Sequence, residues 1–173
     1  MSGYEVGEPI LNTPFTAPSR HWFIREGEDA ELFDGRRPSL VYPPKDGNIT
    51  WDLKDGALSP SKTYKPAYEM ELVNRLRERV SAWRIQGYPG VSRTTHELLQ
   101  WWNREGRQAR LFFAQLEAAE TVIFLREARA DFLHGIVIPR DAPSDQQKAE
   151  GKTGFLRYAC KMATGSGKTT VMG

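Results

Sequence analysis

Cysteine is nearly missing from this sequence of 173 residues, in which Cys160 stands alone. No internal disulfide can form and no cysteine cluster can hold zinc, which excludes disulfide scaffolds and zinc fingers. The three histidines, His21, His96 and His134, lie far apart without carboxylate or cysteine at ligand spacing, so metal binding by them is not expected. Long apolar runs are absent too. None approaches the roughly 20 residues of a membrane span, and Met1-Ser2-Gly3-Tyr4-Glu5 lacks the basic start and apolar stretch of a secretory signal. These absences predict a cytoplasmic location and no membrane partner. An excess of one charge is missing as well: 24 Lys and Arg face 22 Asp and Glu, and a net charge of +2 is too small to argue for a nucleic-acid partner. What is present, 39% hydrophobic residues, is enough for a core. The length suits one ordinary domain, or a small one and part of another.

Pattern divides the chain. Over residues 1–67, Pro9, Pro14, Pro18, Pro38, Pro43, Pro44, Pro60 and Pro66 stop any helix before it grows. His21-Trp22-Phe23-Ile24 and Leu40-Val41-Tyr42 read as strands there, and Asp34-Gly35 and Asp46-Gly47 supply turns, so an irregular, β-containing lobe with a loosely held start is expected. Residues 68–138 change to a helical period. Met70, Val73, Leu76, Val80 and Trp83 share one stripe that Gly87 and Pro89 terminate, while Arg75, Arg77, Arg79 and Arg84 occupy the other face. A second helix is predicted from Thr94, with Glu97 completing a capping box, to about Gly106. The third is predicted over 107–130 on Phe112, Leu116, Ala119 and Ile123, widened by Phe113 and Phe124. Residues 139–154 are polar and small and read as a linker loop. Over 155–173, Phe155 to Met162 reads as a buried strand leading into a glycine-rich loop. The fold class expected is mixed α and β: irregular N-terminal lobe, three-helix middle, and the truncated start of a RecA-like α/β domain.

That loop carries the chemistry. Met162-Ala163-Thr164-Gly165-Ser166-Gly167-Lys168-Thr169-Thr170 has the form of a Walker A phosphate-binding loop, with Met162 where the usual pattern has Gly or Ala. Gly165 and Gly167 permit a tight, positive-φ backbone whose amides converge on an anion, and a following helix N-terminus points at the same spot. Lys168 is placed for the β- and γ-phosphates, and the Thr169 hydroxyl for Mg²⁺. The expected site is therefore Thr164, Gly165, Ser166, Gly167, Lys168, Thr169 and Thr170, with ATP and Mg²⁺ as cofactors and Lys168 and Thr169 as the residues closest to the chemistry.

Upstream, Arg110-Leu111-Phe112-Phe113-Ala114-Gln115-Leu116-Glu117-Ala118-Ala119 sets a glutamine in an alanine-rich helix behind aromatics. It resembles the adenine-reading Q motif of superfamily 2 helicases, which implies a base contact for Gln115 through the donor and acceptor edge of its amide. More broadly, Asn12-Thr13-Pro14-Phe15, Pro18-Ser19-Arg20-His21-Trp22-Phe23, Gly35-Arg36-Arg37-Pro38-Ser39, Gly87-Tyr88-Pro89-Gly90-Val91 within 84–95, and segments 112–120 and 154–171 carry a resemblance. The chain from about Leu11 is similar to the N-terminal portion of the type III restriction subunit family of bacterial helicase-type endonucleases. The resemblance implies ATP-driven translocation on double-stranded DNA by two RecA-like lobes, a separate nuclease domain, and a methyltransferase or modification subunit beside it. A Walker B segment and an arginine finger are also needed for turnover. Neither is found within these residues, so the expectation is of a fragment that does not hydrolyse ATP unaided. A P-loop ATPase or helicase without nuclease, its N-terminal lobe a partner-binding module, remains the alternative.

Other residues carry less. Arginines between Arg75 and Arg110, with Trp83, Trp101 and Trp102, suit phosphate and base contact, but equally a solvated helix face and a core. Glu117, Glu120 and Cys160 read as structural.

Overall fold

In a computed structural model of the chain, which is mixed α/β, the described residues form six helices and four two-stranded antiparallel ribbons. It describes residues 8–24, 29–41, 51–54, 57–60, 68–138 and 140–172, with 51–54, 57–60, 68 and 140 described by backbone alone. The chain folds as two compact units, one of residues 38–75 and the other of residues 1–37 and 76–173. Among the described residues no helix is long and apolar enough to cross a membrane.

The unit of residues 38–75 holds β3 (Leu40–Val41) paired with β6 (Tyr68–Glu69), β4 (Trp51–Lys54) paired with β5 (Ala57–Pro60), and the first residues of α1 (Glu71–Ile85). Asn74 closes it. Its Oδ1 accepts from Ser39 N at 2.7 Å, and Met70 N donates to Ser39 O at 2.9 Å, so the start of the helix is tied to the residue that precedes β3. The expected Asp46-Gly47 turn, Tyr42 and Pro66 lie outside the described residues.

In the larger unit, β1 (Arg20–Phe23) and β2 (Glu31–Asp34) pair in antiparallel register, Trp22 opposite Leu32. Asp34-Gly35 does not connect them. It turns the chain after β2, with Gly35 at φ 89° and its N–H on Ser19 O at 2.6 Å. Asn12 pins the opening segment by accepting from Ser19 N (2.8 Å) and Arg20 N (3.3 Å) and donating to Arg20 O (2.8 Å). Asn12 is thus tied down through its side chain, and Glu8 O accepts from the Trp22 indole N–H at 2.9 Å; 1–7 lie outside the described residues.

Residues 76–133 of this unit build its helices: the rest of α1, α2 (Arg93–Asn103), α3 (Phe113–Glu127) and the one-turn α4 (Ala130–Leu133). The α1 stripe is buried at Leu76, Val80 and Trp83, whereas Met70 precedes the helix and is exposed. Gly87 ends it as expected. At φ 77° it lets Tyr88 N reach back to Trp83 O at 3.0 Å, the 6→1 bond of a Schellman cap. Trp83 then becomes the centre of the core. Its ring meets Tyr88 and Phe124 edge-on at 4.9 and 5.4 Å, and its indole N–H donates to Pro89 O. Each such aromatic contact contributes roughly 0.5–1.5 kcal/mol beyond area burial. Leu99 of α2 and Phe132 of α4 complete the buried set.

Two helix starts differ from expectation. Ser92, not Thr94, caps α2, accepting from Thr95 N at 3.2 Å, while Glu97 pairs with Arg93 one turn earlier in the helix. Glu127 decides this, since it accepts from Ser92 N and Thr95 Oγ1 and so ties this start to the end of α3. Helix α3 begins at Phe113, six residues later than predicted, because Phe113 N donates to Pro14 O and the Gln115 side chain accepts from Phe112 N. These bonds satisfy amides that the first turn of a helix leaves without partners. Its buried residues are Gln115, Glu120 and Phe124; Phe112, placed on the predicted stripe, is exposed.

The C-terminal part departs most. The loop expected over 139–154 contains β7 (Arg140–Asp141) and the short α5 (Asp145–Ala149), whose Ser144 and Gln147 form a capping box. The strand expected over Phe155 to Met162 is only β8 (Phe155–Leu156), antiparallel to β7. Residues 157–162 run on without a ladder, because a strand is completed by neighbours and none of the described residues offers one. The last element is α6 (Lys168–Met172).

Candidate phosphate-binding site

The platform beneath the site is α3, whose inward face is charged. Glu117 receives both Nη atoms of Arg36, one at 2.7 Å. One turn on, the fully buried Glu120 accepts from Nε and Nη2 of Arg84 and, at 2.7 Å, from the Tyr88 hydroxyl. Phe113 lies between the two arginines, their guanidinium carbons 5.5 and 5.4 Å from its centroid. Burial works against the charge on Arg84, yet hydrogen bonding and attraction from Glu120 outweigh it and hold its pKa above the ordinary value. Arg77 goes the other way: burial and the nearby Arg36 lower its pKa, with Glu117 only partly compensating. Arg84 is therefore no solvated residue, and Trp83, in the core, has no face to offer a base. Trp101 does, being half exposed with the Arg104 guanidinium 3.5 Å above its ring.

The loop follows β8. Gly165 and Gly167 adopt φ 78° and 74°, the left-handed conformation their identities anticipate. Between them, Ser166 donates from N (3.3 Å) and Oγ (2.6 Å) to Ala163 O, and Thr170 N donates to Gly167 O at 3.0 Å. The Lys168 ammonium curls back over the loop to Met162 O (3.2 Å) and Ala163 O (3.0 Å). Thr164, Lys168, Thr169 and Thr170 are exposed.

Gln115 crosses from α3 to this loop, and α3 packs on α6. Its Nε2 donates to Ser166 O at 3.2 Å and Gly167 O at 3.3 Å. A Cβ on Gly167 would sit 2.1 Å from that nitrogen, so a larger residue there would push the Gln115 amide aside as well as strain the backbone at φ 74°. All the residues expected to hold phosphate thus lie on one turn of chain, and Gln115, 51 residues away in sequence from Ser166, joins them. Among the described residues no three His, Cys, Asp or Glu come together to hold a metal. The Thr169 hydroxyl, expected as a Mg²⁺ ligand, stands exposed beside Lys168 on this turn.

Compared with known proteins, the chain matches no family model, no curated protein and no solved structure. Its reading rests on residues and geometry. What sequence reasoning missed is the support: Arg36, Tyr88 and Arg84 act on α3 from 81, 32 and 36 residues away. The only local signal was Glu117 and Glu120 sharing a helix face, which names no partner.

Proposed function

We propose that residues 162–170 bind the phosphates of a nucleoside triphosphate and that this chain is the ATP-binding front of an ATP-driven DNA translocase of the restriction type, built on a RecA-like lobe. The observation that carries the reading is the loop itself: two left-handed glycines flank Ser166, and the Lys168 ammonium is folded over the same turn of backbone. Lys168 holds two loop carbonyls, which are weak partners for a full charge. A phosphate group would draw the ammonium off them, since it adds the attraction of an opposite charge that a neutral carbonyl does not offer. The order of β8, loop and α6 is also that of a P-loop unit. The DNA contact is assigned to the exposed Trp101 with Arg104, which can offer stacking and phosphate pairing from the end of α2.

Calorimetric titration of the whole chain with Mg·ATP tests the loop. Binding with a dissociation constant of about 10–100 μM is expected, weakened at least tenfold, or about 1.4 kcal/mol, in Lys168→Ala. Absence of binding by the unmodified chain at millimolar nucleotide would overturn the proposal.

A further inference from the structure

We infer that Gln115 is a positioning residue for the phosphate loop and does not read the base; the inference rests on the reading that this loop binds phosphate. An amide side chain has two donor hydrogens and two acceptor lone pairs. Here the amide nitrogen donates to two loop carbonyls, Ser166 O and Gly167 O, and one lone pair of the amide oxygen is taken by Phe112 N at 2.8 Å. The partners also fix which way the amide faces. Phe112 N can only donate and the two carbonyls can only accept, so a flipped amide would set like against like three times. Bidentate recognition of adenine needs a free donor and a free acceptor on one edge. The Gln115 amide nitrogen is already engaged by the loop, and the residue is almost wholly buried.

What the side chain does instead is join two parts of the unit. One end of the amide completes the first turn of α3, which Arg36, Arg84 and Pro14 O already anchor. The other end holds the carbonyls of two successive peptides, Ser166–Gly167 and Gly167–Lys168. With that brace the loop is ordered before any ligand arrives. Without it, the ordering must occur on binding and lowers affinity for whatever carries the phosphates, irrespective of the base.

The test is titration of the unmodified chain, Gln115→Ala and Gln115→Glu with Mg·ATP, Mg·GTP and base-free inorganic tripolyphosphate. In Gln115→Glu a carboxylate would face Ser166 O and Gly167 O with no hydrogen to donate. Parallel losses of about tenfold for all three ligands are expected in both variants. Gly167→Ala, which presses on the same amide from the loop side, should match them even if a Gln115 variant fails to fold. Hydrogen exchange should quicken at residues 164–170 in each folded variant while Trp83 and Leu99 keep their protection. A loss confined to ATP, with GTP and tripolyphosphate unchanged, would make Gln115 a base reader and overturn the inference. So would unchanged binding of all three. Failure of the unmodified chain to bind any of the three would instead remove the phosphate-loop reading on which the inference stands.

Discussion

Removing the Glu120 carboxylate is the most direct way to ask what holds α3 in place. The group is fully buried and takes three bonds from Arg84 and one from Tyr88. Glu120→Leu keeps the volume but leaves a guanidinium and a phenol facing an apolar side chain. Breaking a buried pair from one side costs about 3–5 kcal/mol. Arg84 retains 23% of its side-chain exposure and the Phe113 ring, which argues for the lower end, about 3 kcal/mol. For a unit of this size each kcal/mol moves the melting temperature by about 3 °C, so a fall of about 10 °C is expected. The triple variant Arg84→Met, Tyr88→Phe, Glu120→Leu removes every orphaned partner and should recover most of it, because a well-packed apolar replacement of a buried ion pair is often neutral. Thermal and urea unfolding followed by circular dichroism measure both. A loss under about 1 kcal/mol for Glu120→Leu would mean that water reaches the pair, and a triple variant no more stable than the single would show that the cost lies in packing and not in uncompensated charge.

Two further outcomes follow from the same helical unit. At Gly90, φ is 102° and a Cβ would lie 2.7 Å from Arg129 N and 2.8 Å from Glu127 O, both backbone, so Gly90→Ala should cost about 3 kcal/mol; Gly106→Ala, at φ 72° in open space, should cost about 1 kcal/mol. Equal urea midpoints for the two variants would contradict the close approach. Burial, then Glu120, push the Tyr88 phenol above its ordinary value of 10.0, which favours the neutral form in the folded state. Its contribution is therefore complete below pH 10 and is lost as pH rises beyond that; urea midpoints between about pH 9 and 11.5 should fall more steeply in the unmodified chain than in Tyr88→Phe.

What could be read directly was what neighbouring residues decide among themselves. Leu76, Val80 and Trp83 fall on one side of α1 because 3.6 residues make a turn, and Gly87 stops the helix because it alone of its neighbours takes a left-handed conformation without penalty. Gly165 and Gly167 obey the same rule, and Lys168 follows them in sequence, so the phosphate-loop residues are legible as a set. The start of α3 was misread for the complementary reason. Its boundary depends on Pro14 O, nearly a hundred residues upstream, and no local pattern encodes that bond.

The sequence by itself determined α1 and its stop, the left-handed glycines, and which residues form the loop, all of which depend on torsional preferences and spacing within a few residues. Tertiary structure alone decided that Glu117 takes Arg36 and Glu120 takes Arg84, that Gln115 turns its donors to the loop, and that residues 157–162 form no strand. Charge partners and strand pairing are properties of what lies alongside in space, and a buried amide or carboxylate accepts only the arrangement in which its hydrogen bonds are made.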